Sequence, residues 1–306
     1  MTAGPWRSII PTWSGGSTRP GIYFWTAKIL NEFATALNKP EDVQRFAGKM
    51  TDIAAAFNAK FFDKEKGFYG NGSQYSQIWP LYLGICPEEA HARVLDRLSS
   101  EIVETRKGHL ATGILGTKYL YQALSDNGKA DLAYLVTQQE DYPSYGYMLK
   151  NGATTLWELW KLETGRGMNS HNHQMFGSVV DWFYGDVAGI RTLPEPGYSH
   201  VTIAPLPDRD RTVTSAEAYV DTVRGRVSSS WRSLANDGGL ELKVTVPPNA
   251  KANVIVPMKS GDAVTVRPKL PDTAVVAGKP GQFMVGSGTY TFNVTTPPKE
   301  AGSGAR

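Results

Sequence analysis

The chain changes its hydrophobic rhythm once. From Gly21 to about Gly189, apolar residues recur at helical intervals. "GIYFWTAKILNEFATALN" sets Tyr23, Ala27, Leu30, Phe33 and Leu37 at that spacing, the pattern of an amphipathic helix. "PEDVQRFAGKMTDIAAAFNAKFF" opens with Pro40, Glu41 and Asp42, which suit a helix N-terminus. Further helices are expected near 75–84, 87–105, 110–124, 127–140, 154–162 and 173–187. The breaks between them, among them "KGFYGNGS", "SDNGK", "DYPSYG" and "KNGA", carry Gly, Pro or Asn, as antiparallel helical hairpins require.

After about Tyr198 the period falls to two. "HVTIAPL", "AEAYVDTVRGRVSSSWRS", "LELKVTVP", "ANVIVP", "AVTVRP", "TAVVAG" and "TYTFNVTT" alternate and are rich in Val and Thr. Turn clusters such as "NDGG", "PPNAK" and "KSGD" separate them, which predicts an antiparallel β-sandwich. The organisation read from the sequence is therefore a helical domain over 1–192, a β-sandwich over 198–298 and a frayed tail over 299–306. "RTLPEPGYS" forms the junction, and no fixed-period repeat is present.

Bulk properties narrow the function by exclusion. The 306 residues carry a net charge of +3 with no basic run, which argues against nucleic acid or an anionic membrane as partner. One cysteine, Cys86, excludes an internal disulfide and reads as a small buried hydrophobe. "MTAGPWRSIIPTW" lacks the basic start and apolar core of a signal peptide, and no apolar run is long enough to span a bilayer, so the expectation is a soluble chain. Eight Trp and 14 Tyr stand out, because aromatic faces stack on the C–H face of a sugar as readily as they fill a core.

The chemistry centres on "NGATTLWELWKLETG". Thr155 and Glu158 have the spacing of a capping box, in which the glutamate bonds back to the cap and does no chemistry. The same glutamate at a helix N-terminus, flanked by Trp157 and Trp160, is also what a general base needs: a carboxylate held ionised beside aromatic rings. An inverting glycosidase pairs such a base with a protonated carboxyl. Downstream, "MNSHNHQMFGSVVDWFYGDVAGI" holds His171 and His173 before a helix that carries Asp181 and Asp186. The two histidines lack the further ligands a zinc site requires, so no metal is expected. His173 reads equally as a hydrogen-bond donor to a sugar hydroxyl or as a cap for the next helix. Phosphate-loop, dinucleotide and nucleophile-elbow signatures are absent.

Several of these stretches together resemble the inverting α-L-rhamnosidases of glycoside hydrolase family 78. "YPSYGYMLKNGATTLWELW" is similar to the family's signature around the general base, and "GHLATGILGTKYL" to its glycine-threonine turn. "NHQMFGSVVDWFYGDVAGI" resembles its penultimate helix, and "YSHVTIAPLP" with "AEAYVDTVRGRVSSSWR" the start of its C-terminal sandwich. The likeness runs from about Ile22 to about Pro257. It implies an (α/α)6-barrel-like helical domain, here incomplete, followed by a β-sandwich. It also implies hydrolysis of terminal α-L-rhamnosyl linkages without a cofactor. Glu158 falls on the general base and His173 on a sugar-binding histidine. Trp157, Trp160 and Tyr145 would shape the pocket. Trp13, in "IPTWSGG", falls near a pocket tryptophan, although its flanks depart from the family's usual Asp-Trp.

The family's general acid lies on a loop upstream of everything quoted, so the resemblance assigns it to no residue here. The chain is expected to correspond to the C-terminal part of such an enzyme. Asp141, Asp181 and Glu140 are the local carboxylates that would have to substitute. Three functional expectations follow: an active hydrolase with a local acid, a chain completed by a second copy or a complementary chain over the open barrel, or a non-catalytic carbohydrate-binding or scaffolding protein. In each the partner is a rhamnose-containing glycoside or polysaccharide.

Overall fold

A computed structural model of the chain describes residues 16–165, 169–192, 196–234 and 239–296. Trp13, the N-terminal stretch read for a signal peptide and the tail 299–306 lie outside the described residues. Two compact units are present, the first ending at Gly177 and the second beginning at Ser178.

The first unit is built from helices. α1 (Thr18–Ala36) packs against α2 (Pro40–Phe61), and the turn between them passes through Asn38 in the left-handed region, φ 52°. As expected, α2 starts on Pro40 with Glu41 and Asp42 in its first turn and Lys60 in its last, so its charges oppose the helix dipole at both ends. A two-stranded ribbon, β1 (Phe62–Asp63) and β2 (Phe68–Tyr69), leads to α3 (Gln74–Leu83), which Gly84 closes at φ 68°. α4 (Glu88–Ser100) runs on into a π-helical turn over Glu101–Thr105, and α5 (Ile114–Asp126), α6 (Ala130–Thr137) and α7 (Tyr145–Lys150) follow. α3 packs against α1, α4 and α5, and α5 against α6. Phe57, Ile78, Trp79, Leu98, Leu120 and Tyr121 form the fully buried centre.

Two buried glutamines fasten this unit. Gln77 bonds both the N–H and the carbonyl of Tyr69, closing the ribbon onto α3. Gln74 donates to the His109 carbonyl and accepts from the Ala111 N–H, at 2.8 and 2.9 Å. That pair ties the loop ahead of α5 to α3, and the loop in turn supports the candidate site.

The second unit begins with α8 (Val179–Trp182) and a π-helical turn over Phe183–Val187, continuing a 3-10 stretch that starts at Gln174. Among the described residues nine strands follow: β3 (Ile190–Thr192), β4 (His200–Ile203), β5 (Ser215–Thr222), β6 (Gly225–Ser233), β7 (Leu240–Val246), β8 (Lys251–Ile255), β9 (Ala263–Arg267), β10 (Gln282–Val285) and β11 (Gly288–Thr295). They make a four-stranded sheet in the order β10-β8-β4-β3 and a five-stranded sheet in the order β5-β6-β7-β11-β9. Alternation decides which face is buried: in β7, Leu240, Leu242, Val244 and Val246 point inward while Lys243 is exposed. The sheets meet through such residues, as where Phe283 of β10 lies 5.1 Å from Phe292 of β11. Trp231, fully buried, donates its indole N–H to the Val187 carbonyl at 2.7 Å and anchors the five-stranded sheet to the helical turn.

Helices followed by largely antiparallel sheets agree with the class read from the sequence. Several details differ. On α1, Tyr23, Leu30 and Phe33 lie on the exposed side, as does Leu37 at its C-cap, Phe33 at 60% and Leu37 at 69%, while Pro20, Gly21, Phe24, Ala27 and Ala34 pack inward. The small residues allow close approach: a Cβ on Gly21 would stand 3.1 Å from the Trp79 ring. No helix forms over 154–162. β4 and β8 pair in parallel, whereas a purely antiparallel sandwich was expected. "TAVVAG" holds a 3-10 turn, Asp272–Ala274, and one bridge from Val275 to Phe283, while "GQFMVG" supplies the strand β10.

Candidate active site

Glu158 sits in a pair of facing segments. α7 ends at Lys150, and Gly152, at φ 79°, lets the chain leave it. Residues 154–161 then run as bends and irregular chain. The backbone groups a helix would use internally are engaged across a gap instead. Glu158 N–H donates to the Ser170 carbonyl and His173 N–H to the Leu156 carbonyl, both at 2.8 Å. Thr155 donates its hydroxyl to the His171 carbonyl. The capping-box reading therefore fails: the Glu158 N–H that the threonine oxygen would cap is given to the Ser170 carbonyl, and tertiary pairing overrides local propensity.

The Glu158 side chain is half-exposed. Its Oε2 accepts from the Ser170 N–H at 3.1 Å. That bond, with a hydrogen bond from the Asn169 side chain and the nearby positive potential of His173, holds the carboxyl below the usual glutamate range against a weaker opposing effect of burial. The anion expected from a helix dipole is thus stabilised by other means: one backbone N–H, one side-chain amide and one imidazole. His173 carries a further contact, its Nδ1 accepting a long bond from the Met175 N–H at 3.4 Å. In the neutral ring an accepting Nδ1 leaves the proton on Nε2, and the imidazolium is protonated there as well, so that nitrogen is a donor in either form. The cap and donor readings of His173 are compatible, because they use different nitrogens.

The rings do less than the sequence suggested. Trp160 is 8% exposed, donates its indole N–H to the Thr112 carbonyl at 2.7 Å, stacks on Phe176 at 4.0 Å and meets Tyr145 edge-on. Trp157 is 4% exposed and lies against His171 and Tyr147. Tyr145 donates its hydroxyl to the Phe176 carbonyl at 2.8 Å. Both rings expected to line the pocket are buried: Trp160 has its face and its N–H engaged, and Trp157 packs its ring against His171 and Tyr147. The ring exposed in this stretch is Tyr142, at 53%.

The local carboxylates differ from what a general acid needs. Asp141 is bonded to His109 at 2.7 Å, and that hydrogen bond keeps it below the ordinary aspartate range. Glu140 pairs with Lys150 at 2.7 Å. Asp181 is an exposed residue of the second unit. Among the described residues, no three His, Cys, Asp or Glu side chains cluster as metal ligands. Sequence reasoning missed Asn169 and Ser170. Their only signal was a run of small polar residues, "NS", ahead of the paired histidines.

Comparison with known proteins assigns this framework. A family model described as the bacterial α-L-rhamnosidase six-hairpin glycosidase domain matches residues 17–187, and one for the bacterial α-L-rhamnosidase C-terminal domain matches 189–270. The chain belongs to the bacterial α-L-rhamnosidase family. Among rhamnosidases, a curated α-L-rhamnosidase of Streptomyces avermitilis is 32% identical over 299 residues, covering 95% of this chain and 28% of that protein. The solved α-L-rhamnosidase from Dictyoglumus thermophilum superposes with a TM-score of 0.80 at 33% identity, over 90% of this chain and 32% of its own. The Streptomyces avermitilis α-L-rhamnosidase solved in complex with L-rhamnose gives a TM-score of 0.80 at 32% identity, over 90% of this chain and 26% of its own. This chain thus spans less than a third of the length of these rhamnosidases.

Proposed function

We propose that this chain carries the general-base half of an inverting α-L-rhamnosidase site. Water attacks the anomeric carbon of a terminal α-L-rhamnosyl unit, Glu158 takes its proton, and the Nε2–H of His173 donates to a sugar hydroxyl. The observation that carries this reading is the Glu158 carboxylate, open to solvent yet held ionised by Ser170, Asn169 and His173. The reaction needs no cofactor. The proton for the leaving oxygen must come from a group with a raised pKa, which Asp141 is not.

Hydrolysis of an aryl α-L-rhamnoside tests the reading. Activity that falls about 10²–10⁴-fold in Glu158→Gln, with the β-anomer of rhamnose as first product by NMR, supports it. Equal rates in the two proteins end it.

A second reading follows from the exposed apolar side of α1, with Phe33 at 60% and Leu37 at 69% exposure. A helix apolar on two sides is ordinarily covered on both. We propose that this side packs against another helical surface, from a second copy or a complementary chain. Light scattering at micromolar concentration reads it: a monomer that stays monomeric when Phe33→Glu is introduced contradicts self-association. If rhamnose binds and no turnover occurs, the chain is a carbohydrate-binding protein on the same fold.

A further inference from the structure

Four hydrogen bonds join residues 155–158 to 170–173. Two are purely backbone, from Glu158 N–H to the Ser170 carbonyl and from His173 N–H to the Leu156 carbonyl. One ends on the Glu158 carboxylate itself, from the Ser170 N–H. The fourth comes from the Thr155 hydroxyl to the His171 carbonyl. Thr155 therefore supplies the one cross-link among these four that a substitution can delete without altering Glu158 or the backbone. It is an exposed residue, so its hydroxyl could have bonded to water, and a threonine capping a helix would have pointed it at its own segment. The bond falls on the carbonyl between Ser170, which holds the Glu158 carboxylate, and His173.

We propose that Thr155 is a positioning residue that locks Glu158 and His173 into a single unit. With the hydroxyl in place, the 170–173 segment cannot slide along 155–158, and the Ser170 N–H stays aimed at the carboxylate. The proposal deepens the general-base reading of Glu158, on which its functional meaning rests. It requires an effect on ionisation that a threonine serving only stability would lack. Asn169, whose amide also reaches the carboxylate, belongs to the same unit.

The test reads the Glu158 carboxyl and the His173 ring by NMR titration of the full chain, with no substrate and no turnover, so it stands apart from the rhamnoside assay. In Thr155→Val the Glu158 midpoint is expected to rise toward the ordinary glutamate range, and the Ser170 and His173 amides to exchange faster with solvent. Thr155→Ser, which keeps the hydroxyl, restores both. Asn169→Ala raises the Glu158 midpoint while Thr155 is intact. An unchanged Glu158 midpoint in Thr155→Val, or one that Thr155→Ser fails to restore, overturns the proposal. Should Thr155→Val not fold, the wild-type amides decide: Ser170 and His173 exchanging at the rate of unprotected amides sinks it.

Discussion

His109 Nε2 lies 2.7 Å from Asp141 Oδ1, while its Nδ1 faces the carbonyl oxygens of Arg106 and Lys107 at 2.9 and 3.1 Å. All three partners are acceptors, so only the imidazolium, with both ring nitrogens donating, satisfies the three contacts together. Burial pulls its pKa down, but the bonds to Asp141 and to the two carbonyls outweigh that and raise it above the ordinary histidine value. The clasp joins the loop ahead of α5 to the segment leading into α7, next to the Lys150–Glu140 pair.

A pH dependence follows with a definite sign. A raised histidine pKa contributes stability that is complete below about 6.5 and is lost as pH rises through the folded value. The lowered pKa of Asp141 contributes stability present above the ordinary aspartate range and lost as pH falls through its folded value. The clasp is therefore strongest between these limits. The melting temperature of the wild type is expected to drop more than that of His109→Gln between about pH 6 and about pH 9. Parallel curves for the two proteins would show that the pair contributes nothing.

Trp160 should behave as a core residue. Trp160→Phe leaves the buried Thr112 carbonyl with only the long bond from the Thr117 hydroxyl at 3.4 Å, at a cost of about 1–3 kcal/mol. Trp160→Ala also empties the space against Phe176 and costs about 3–5 kcal/mol. Urea unfolding measures both. A variant with wild-type stability and weakened sugar binding would instead mark the ring as a platform.

Gly146 has no room for a side chain. A Cβ there would stand 2.5 Å from the Gln139 carbonyl oxygen and 2.7 Å from the Glu140 Cα, both backbone atoms. Gly146→Ala is expected to destabilise by about 1–3 kcal/mol and to loosen α7, despite the better helix propensity of alanine. Stability equal to or above wild type would contradict that close approach.

Asp208 organises the turn ahead of β5. Its carboxylate, on a residue 4% exposed, accepts from the N–H groups of Asp210, Thr212 and Val213 at 3.0–3.1 Å and from the Thr212 hydroxyl. Asp208→Ala strands these donors, and a loss of about 2–3 kcal/mol is expected in denaturant titration. Asp208→Asn, which keeps one oxygen, should lose less.

Periodicity made the helices legible where one side of the helix packs and the other faces water. α2, with its proline start and charged ends, could be placed almost to the residue. α1 misled because it is apolar on two sides, and spacing does not say which side carries neighbours. Segment 154–162 misled for a different reason. Its capping-box pattern was genuine, but the pairing of Glu158 and His173 with Ser170 and Leu156 is non-local, and nothing within the segment encodes it. Glu158 and His173 could be singled out as chemical groups. What holds them, Thr155 from one segment and Asn169 and Ser170 from the other, came only with coordinates. Burial of Trp157 and Trp160 was equally hidden, since a ring that stacks on sugar and one that stacks on Phe176 look the same in a sequence.

The parallel pairing of β4 with β8 joins strands far apart in the chain. His200 meets Lys251, so closing that pair loops out β5, β6 and β7, which belong to the other sheet. Those three strands form a local meander and can associate as soon as they are made, whereas the β4–β8 junction closes a long loop against chain entropy. Refolding of the second unit should thus begin in the larger sheet, with protection of the Val201 and Val254 amides arriving last.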